Sequence, residues 1–372
     1  MPNHQIICGD ALDVLRTLQE NSVHCVVTSP PYWKLRDYGI AGQLGLESTV
    51  DEYVAKMVTI FAEVRRVLRK DGVLFLNLGD SYNTSPVGHH SVESLLKSST
   101  AKVGNLHESN LRASKTRTII RDGHYKPKDL LGIPWRIAFA LQADGWYLRQ
   151  DIIWHKPNPL PESVTDRCTK SHEYIFLLTK SARYYYDADA IRESSTNHKR
   201  NRHSVWTFAT QSYKGDHFAT FPLKLPELCI QAGTSDHGCC PLCGAPWQRL
   251  VQDTPDYAAL KASKPWIGGH SVGSTSLTQG YAGNKQTSAS KSQITIGWQP
   301  NCPCQGNVPI PCTVLDPFSG VSTTGIVALR LGRDYLGIEL NPAYVEMSQQ
   351  RIQDDAPLWN TCEETALCAS PS

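Results

Sequence analysis

Residues 28–33 read Thr28-Ser29-Pro30-Pro31-Tyr32-Trp33, an order suited to capturing a flat, amino-bearing group. Consecutive prolines hold φ at about −65° and lack N–H groups, so the loop is stiff and its carbonyls stand in fixed places. Ser29 adds a hydroxyl; Tyr32 and Trp33 add π faces. Carbonyl and hydroxyl accept the N–H protons of an amine while an aromatic ring covers its plane. A lone Pro-Pro-Tyr is more often an ordinary turn over a buried ring. The apolar run before this one, and a second loop near the other end of the chain, favour the chemical reading.

That second loop is Asp316-Pro317-Phe318-Ser319-Gly320, with a helix start beyond it and Glu339 at the end of the next apolar run. A strand, a Gly-containing turn and a helix N-terminus form the nucleotide-cofactor half of a doubly wound fold. The loop is not GxGxxG and no GK[ST] follows, which argues against pyrophosphate and P-loop chemistry. Asp316 suits an amino or ammonium group, and Glu339 is placed for ribose hydroxyls. Asp10 follows the first apolar run, where helix cap and ligand contact both remain open.

A third group is made of thiols. Cys240-x-x-Cys243 and Cys302-x-Cys304 can supply four thiolates to one tetrahedral Zn²⁺ and so pin the ends of an insertion. Cys239 is the substitute ligand, and free thiols are the plain alternative.

These groups need a scaffold, and the apolar rhythm supplies one. Strands are expected at 6–8, 23–27, 73–78, 147–154, 173–179, 182–186 (in a hairpin), 313–315 and 335–338. Helices are expected at 11–18, 51–70 (stopped by Asp71-Gly72), from Pro134, within 217–230, and at 325–331 and 343–352. The alternation implies an α/β fold with a doubly wound, mostly parallel sheet. It divides the chain into a first core half at 1–81, a basic insertion at 82–128, core again at 129–187 and a basic segment at 188–216. A helix at 217–232, the cysteine insertion at 233–312, a cofactor half at 313–355 and a tail at 356–372 complete it.

The 372 residues carry 37 Lys+Arg against 35 Asp+Glu, so no global field draws nucleic acid, and basic surface must be local. Lys97, Lys102, Arg112, Lys115, Arg117 and Arg121 supply it in one insertion, and His198-Lys199-Arg200-Asn201-Arg202-His203 in the other. No run approaches a membrane span and no signal segment opens the chain, so a soluble, cytoplasmic protein is expected, with its 12 cysteines reduced or on metal.

Taken together, the two loops and their order resemble the S-adenosylmethionine-dependent amino-methylating DNA methyltransferases of the permuted β-type. The resemblance covers 6–80, about 130–187, 205–230 and 314–352, leaving only the insertions outside. It implies a Rossmann-like methyltransferase core and a duplex DNA substrate whose target base is flipped out. Ser29, Pro30, Pro31 and Tyr32 would hold that base. Asp316, Pro317, Phe318 and Gly320 would line the methionine end of the cofactor, Glu339 its ribose and Asp10 its adenine. His217, Phe221 and Pro222 would complete the pocket, although Pro222-Leu223-Lys224-Leu225-Pro226 departs from the family's Pro-Thr-x-Lys-Pro. Ser at the first position of Ser-Pro-Pro-Tyr resembles the cytosine-N4 branch; adenine N6 is the alternative. RNA or protein-glutamine amine methylation, and a non-catalytic zinc DNA-binding protein, are more distant ones. A cognate restriction endonuclease is an expected partner, and monomer and homodimer stay open.

Overall fold

A computed structural model describes residues 2–83, 125–194, 199–211, 221–253, 255, 293–304 and 308–355. The mostly apolar runs become the centre of an eight-stranded sheet. In chain order its strands are β1 (His4–Cys8), β2 (Val23–Thr28), β3 (Leu68–Leu78), β4 (Tyr147–His155), β5 (His172–Thr179), β8 (Val205–Thr207), β11 (Thr313–Asp316) and β12 (Asp334–Glu339). The spatial order is β1-β12-β11-β2-β3-β5-β4-β8. The first five run parallel to one another; β5 is antiparallel to both β3 and β4, and β8 is parallel to β4. The doubly wound, mostly parallel α/β expectation therefore holds.

The period of two along β2 and β3 sorts the core into two layers. Val26, Leu74 and Leu76 join Leu15, Tyr53, Phe61 and Leu141 beneath α1 (Ala11–Thr17), α2 (Val50–Val67) and α3 (Ile133–Ala143). Cys25, Val27, Val73 and Phe75 join Ile230, Val327 and Ile352 beneath α4 (Lys224–Gly233), α5 (Thr323–Arg330) and α6 (Pro342–Asp355). Each such side chain contributes about 1.5–3 kcal/mol on leaving water. Thr49 and Glu52 form a reciprocal capping box that starts α2. No described helix is long and apolar enough to cross a membrane.

Two expectations need correction. The helix expected at 51–70 ends at Val67, and β3 begins at Leu68 with no turn between them. Gly72 is a packing residue rather than a helix stop, because an added Cβ would lie 2.7 Å from the Leu68 side chain and 3.0 Å from the His24 carbonyl. Residues 182–186 are not a strand. The hairpin partner of β5 is β4, while Tyr185 N–H donates to the Asp71 carbonyl at 2.8 Å. Short pairs complete the described chain: β6 (Glu193–Ser194) with β7 (Lys199–Arg200), and β9 (Gln248–Asp253) with β10 (Gln293–Gln299). Most of the basic insertion, His217, the Gly/Ser-rich stretch 268–292 and the tail 356–372 lie outside the described residues.

Candidate active site

Parallel strands present their carboxyl ends on one edge of a sheet, the usual place for ligands in α/β folds. Asp10, Glu339, Asp316, Ser29 and Gly79 stand at or just beyond the ends of β1, β12, β11, β2 and β3 in that spatial order. The two loops picked from the sequence are thus neighbours, and a side-chain bond fastens them. Thr28 Oγ1 donates to Asp316 Oδ1 at 2.6 Å across 288 residues of sequence.

Asp316 is 1% exposed. Besides Thr28, its carboxylate accepts from Phe318 N–H at 3.1 Å and Thr324 Oγ1 at 2.7 Å. Burial pushes the group up to about 6. Its oxygens are thus committed to holding the loop, not turned outward. Glu339 ties three segments together. Its Oε2 accepts from Gly320 N–H at 2.8 Å, its Oε1 from Asn341 N–H at 2.8 Å, and its carbonyl from Gly9 N–H at 2.9 Å. Burial raises it to about 7, and the nearby Asp316 charge adds to the rise. Gly320 (φ +54°) and Ser322 (φ +56°) take left-handed backbone conformations; for Ser322 this costs about 1 kcal/mol. The Ser319 hydroxyl holds the turn at 2.8 Å from both Ser322 Oγ and Tyr335 Oη. Asp10 caps α1, its Oδ1 accepting from Leu12 N–H (2.8 Å) and Asp13 N–H (3.2 Å).

The Ser-Pro-Pro-Tyr loop is held from outside. Tyr53 Oη donates to the Pro31 carbonyl at 2.8 Å. Trp33 is 3% exposed and donates from Nε1 to the Glu47 carbonyl at 3.1 Å, so it anchors the loop and offers no π face. Tyr32, by contrast, is only half-buried. Ser29 Oγ donates to Tyr32 Oη at 3.2 Å, and Tyr32 Oη donates to Glu173 Oε2 at 2.8 Å. Asn77 Nδ2 donates to the same oxygen at 3.1 Å and to the Tyr174 carbonyl at 3.1 Å, while Lys156 Nζ bonds Glu173 Oε1. An added Cβ on Gly79 would lie 2.6 Å from the Tyr32 ring, which therefore lies directly against the end of β3. The sequence reading does not single out Asn77, Lys156 or Glu173. Their signal is faint: a polar residue in the apolar run 73–78 and an acid at the head of another.

Phe221 and buried Pro222 sit at the entry to α4, with Phe221 packed on the sheet face that α4–α6 cover. A cavity of about 240 Å³ lies elsewhere, at the opposite end of β4 from His155, between Arg149, Tyr184, Tyr186, Ile191 and Arg202. None of the two loops' residues lines it.

The Sγ atoms of Cys240, Cys243, Cys302 and Cys304 lie within 4.8 Å of one another. A tetrahedron with Zn–S of about 2.3 Å places sulfurs about 3.8 Å apart, so the donor set fits that ion. Backbone N–H groups of Cys243 and Leu242 lower the Cys240 thiol to about 7. Cys239 is not a substitute ligand. It points inward, clustered with Cys312 and His24. Both nitrogens of that imidazole are occupied, Nδ1 accepting from Thr313 N–H at 3.0 Å and Nε2 facing the Gly244 carbonyl at 2.9 Å. The cysteine turn is further gripped by Arg69, which donates to the Cys243 carbonyl at 2.8 Å. The ends of the insertion are also joined by backbone, through β9–β10 and reciprocal Cys239–Ile310 bonds. The described cysteines form no disulfide.

A family model described as DNA methylase matches residues 23–240 and 312–350. Type II methyltransferase M.Cfr9I of Citrobacter freundii is 40% identical over 348 residues, spanning 93% of this chain and 87% of the relative. Type II methyltransferase M.SmaI of Serratia marcescens is 38% identical over 351 residues, spanning 94% and 90%. Among solved structures, PvuII DNA methyltransferase (cytosine-N4-specific) superposes with a TM-score of 0.53 at 17% identity, covering 95% of this chain and 91% of that one; this likeness bears on the fold. Two fastened loops on a doubly wound sheet, matched by model and by near-full-length relatives, make one answer: the chain belongs to the amino-methylating DNA methyltransferases.

Proposed function

We propose that the chain methylates the exocyclic N4 amino group of cytosine within a specific site in duplex DNA. The observation that carries this is the Thr28–Asp316 bond, which fastens an amine-holding loop to a cofactor loop. Ser at the head of Ser-Pro-Pro-Tyr selects cytosine over adenine.

S-adenosylmethionine, when bound, supplies a methyl group activated on a sulfonium. The acidic edge suits that cation and its ribose: Glu339 and Asp10 at the ends of β12 and β1, with Phe318, Pro317 and Gly320 in the loop and Phe221 and Pro222 at α4. Asp316 serves from behind, by ordering the backbone of its loop.

The remaining chemistry belongs to Ser29, Pro30 and Tyr32. An exocyclic amine is conjugated with its ring, so its lone pair is a poor nucleophile. The Ser29 hydroxyl and the Pro30 carbonyl accept its protons and draw the nitrogen toward tetrahedral geometry. The Pro30 carbonyl accepts no hydrogen bond among the described residues, which leaves it for this task. A base inside a duplex is out of reach, so it must be flipped; the Tyr32 ring then returns about 1–3 kcal/mol of stacking. No cysteine nucleophile is needed.

Zn²⁺ on Cys240, Cys243, Cys302 and Cys304 is structural in this reading. Elemental analysis is expected to find one zinc per chain and chelation to lower the melting temperature; absence of metal with unchanged stability removes it. The segments 82–128 and 188–216 read the bases, a restriction endonuclease shares the site, and the protein works in the cytoplasm. Mass spectrometry of nucleosides from treated DNA tests the main claim. N4-methylcytosine is expected, N6-methyladenine transfers the reading to the other branch, and methylated protein without methylated DNA overturns it.

A further inference from the structure

Methylation of a neutral amine leaves one proton too many on nitrogen, and the site contains a route for it. We propose that Ser29, Tyr32 and Glu173 form a directed proton path from the target amine to a carboxylate on β5. This rests on the amine-methylation reading above.

The direction comes from the donors. Ser29 Oγ–H points to Tyr32 Oη at 3.2 Å, and Tyr32 Oη–H points to Glu173 Oε2 at 2.8 Å. With its hydrogen pointed away, Ser29 keeps lone pairs for the substrate. The nitrogen lone pair forms the N–CH₃ bond as the methyl–sulfur bond breaks and its electrons remain on sulfur. One amino proton then passes to Ser29 Oγ as the Ser29 proton moves to Tyr32 Oη and the Tyr32 proton to Glu173. The carboxylate ends neutral, the base ends neutral, and both hydroxyls are regenerated. Charge balances without a co-reactant, because the positive charge lost from sulfur is matched by the negative charge lost from Glu173.

The surroundings fit an acceptor more than a mere prop. Lys156 pairs with Glu173, and Lys170 and His172 also face it electrostatically. Asn77 Nδ2 fixes Oε2, the oxygen that receives the proton. Burial and the Glu173 charge hold Tyr32 well above the ordinary phenol range, so it relays a proton without dwelling as a phenolate. The Glu173 side chain is 16% exposed, which gives the proton an exit to water. Glu173 itself touches no substrate and acts through Tyr32 and Ser29.

The test is single-turnover methyl transfer from labelled donor, at saturating cofactor, to duplex DNA from a methylation-deficient host. Wild type is compared with E173Q, which keeps the shape and an acceptor but takes no proton at neutral pH, and with Y32F, which keeps the ring. Each variant is expected to lose about 100-fold in rate, the scale of general base catalysis, with cofactor and DNA affinity unchanged. The double variant falls no further than either single one, since both cut one path. Near-wild-type transfer by both variants, or a double variant that falls well below either single one, overturns the path. Methyl found on adenine leaves the path standing, because that amine sheds a proton too; wild type that methylates no DNA overturns the path and the function together.

Discussion

The two loops that meet at the sheet edge are built on opposite plans. The 28–33 loop is positioned by groups from elsewhere, with Tyr53 on the Pro31 carbonyl, Glu47 receiving Trp33, and Gly79 leaving room for Tyr32. Ser29 and Tyr32 stay partly exposed, their hydroxyls linked to each other and to Glu173. The 316–320 loop is positioned by two buried acids, Asp316 at its head and Glu339 at the end of β12, which spend their oxygens on Phe318, Gly320 and Asn341. Removing a side chain should therefore cost function in the first loop and architecture in the second.

The largest effect that would break this contrast is expected at Asp316. Asp316→Ala strands the Thr28 and Thr324 hydroxyls and an N–H in a dry interior, costing on the order of 2–4 kcal/mol of stability. Cofactor affinity should fall at least tenfold with it, measured by denaturation and calorimetry. Tyr32→Ala comes next, with DNA capture reduced about 10- to 100-fold and methylation by more than the about 100-fold that loss of the hydroxyl alone costs, while cofactor affinity and stability hold. Similar losses of both ligands in both variants would erase the distinction. Gly79→Ala sharpens it: the new methyl displaces the Tyr32 ring at a cost of about 1–3 kcal/mol, lowering methylation several-fold without touching cofactor binding.

The smallest effect is a pH slope. Glu339 sits near pH 7, raised by burial, so below that pH it is protonated. A carboxylate whose oxygens accept two backbone N–H bonds orders the cofactor loop best when charged. Cofactor affinity should thus weaken a few-fold as pH falls from 8 to 6, and Glu339→Gln should flatten the titration curve.

What the sequence discloses follows the same division. Residues 23–27 and 313–315 are apolar enough to be read as buried strands, and the loops after them carry their chemistry in adjacent letters. The cysteine pairs are equally local. The support network is not, because Glu173 reaches Tyr32 only through an antiparallel strand inserted beside β3, a pairing no spacing reveals. Cys239 and Cys240 are neighbours in sequence yet face different clusters, and only the fold around Ile310 decides which way each points. The missed boundary at Val67 has a similar origin. Leu68 continues the helical stripe but pairs with Val23, and tertiary burial overrides the local pattern.

One bond has a bearing on biosynthesis. Strand β2 lies between β3, which follows it closely in sequence, and β11, which leaves the ribosome some 285 residues after it. Until then the Thr28 hydroxyl has no carboxylate to meet and β2 has a bare edge, open to pairing with another chain. A product terminated before β11 would consequently lack the fastened pair of loops and be prone to aggregate.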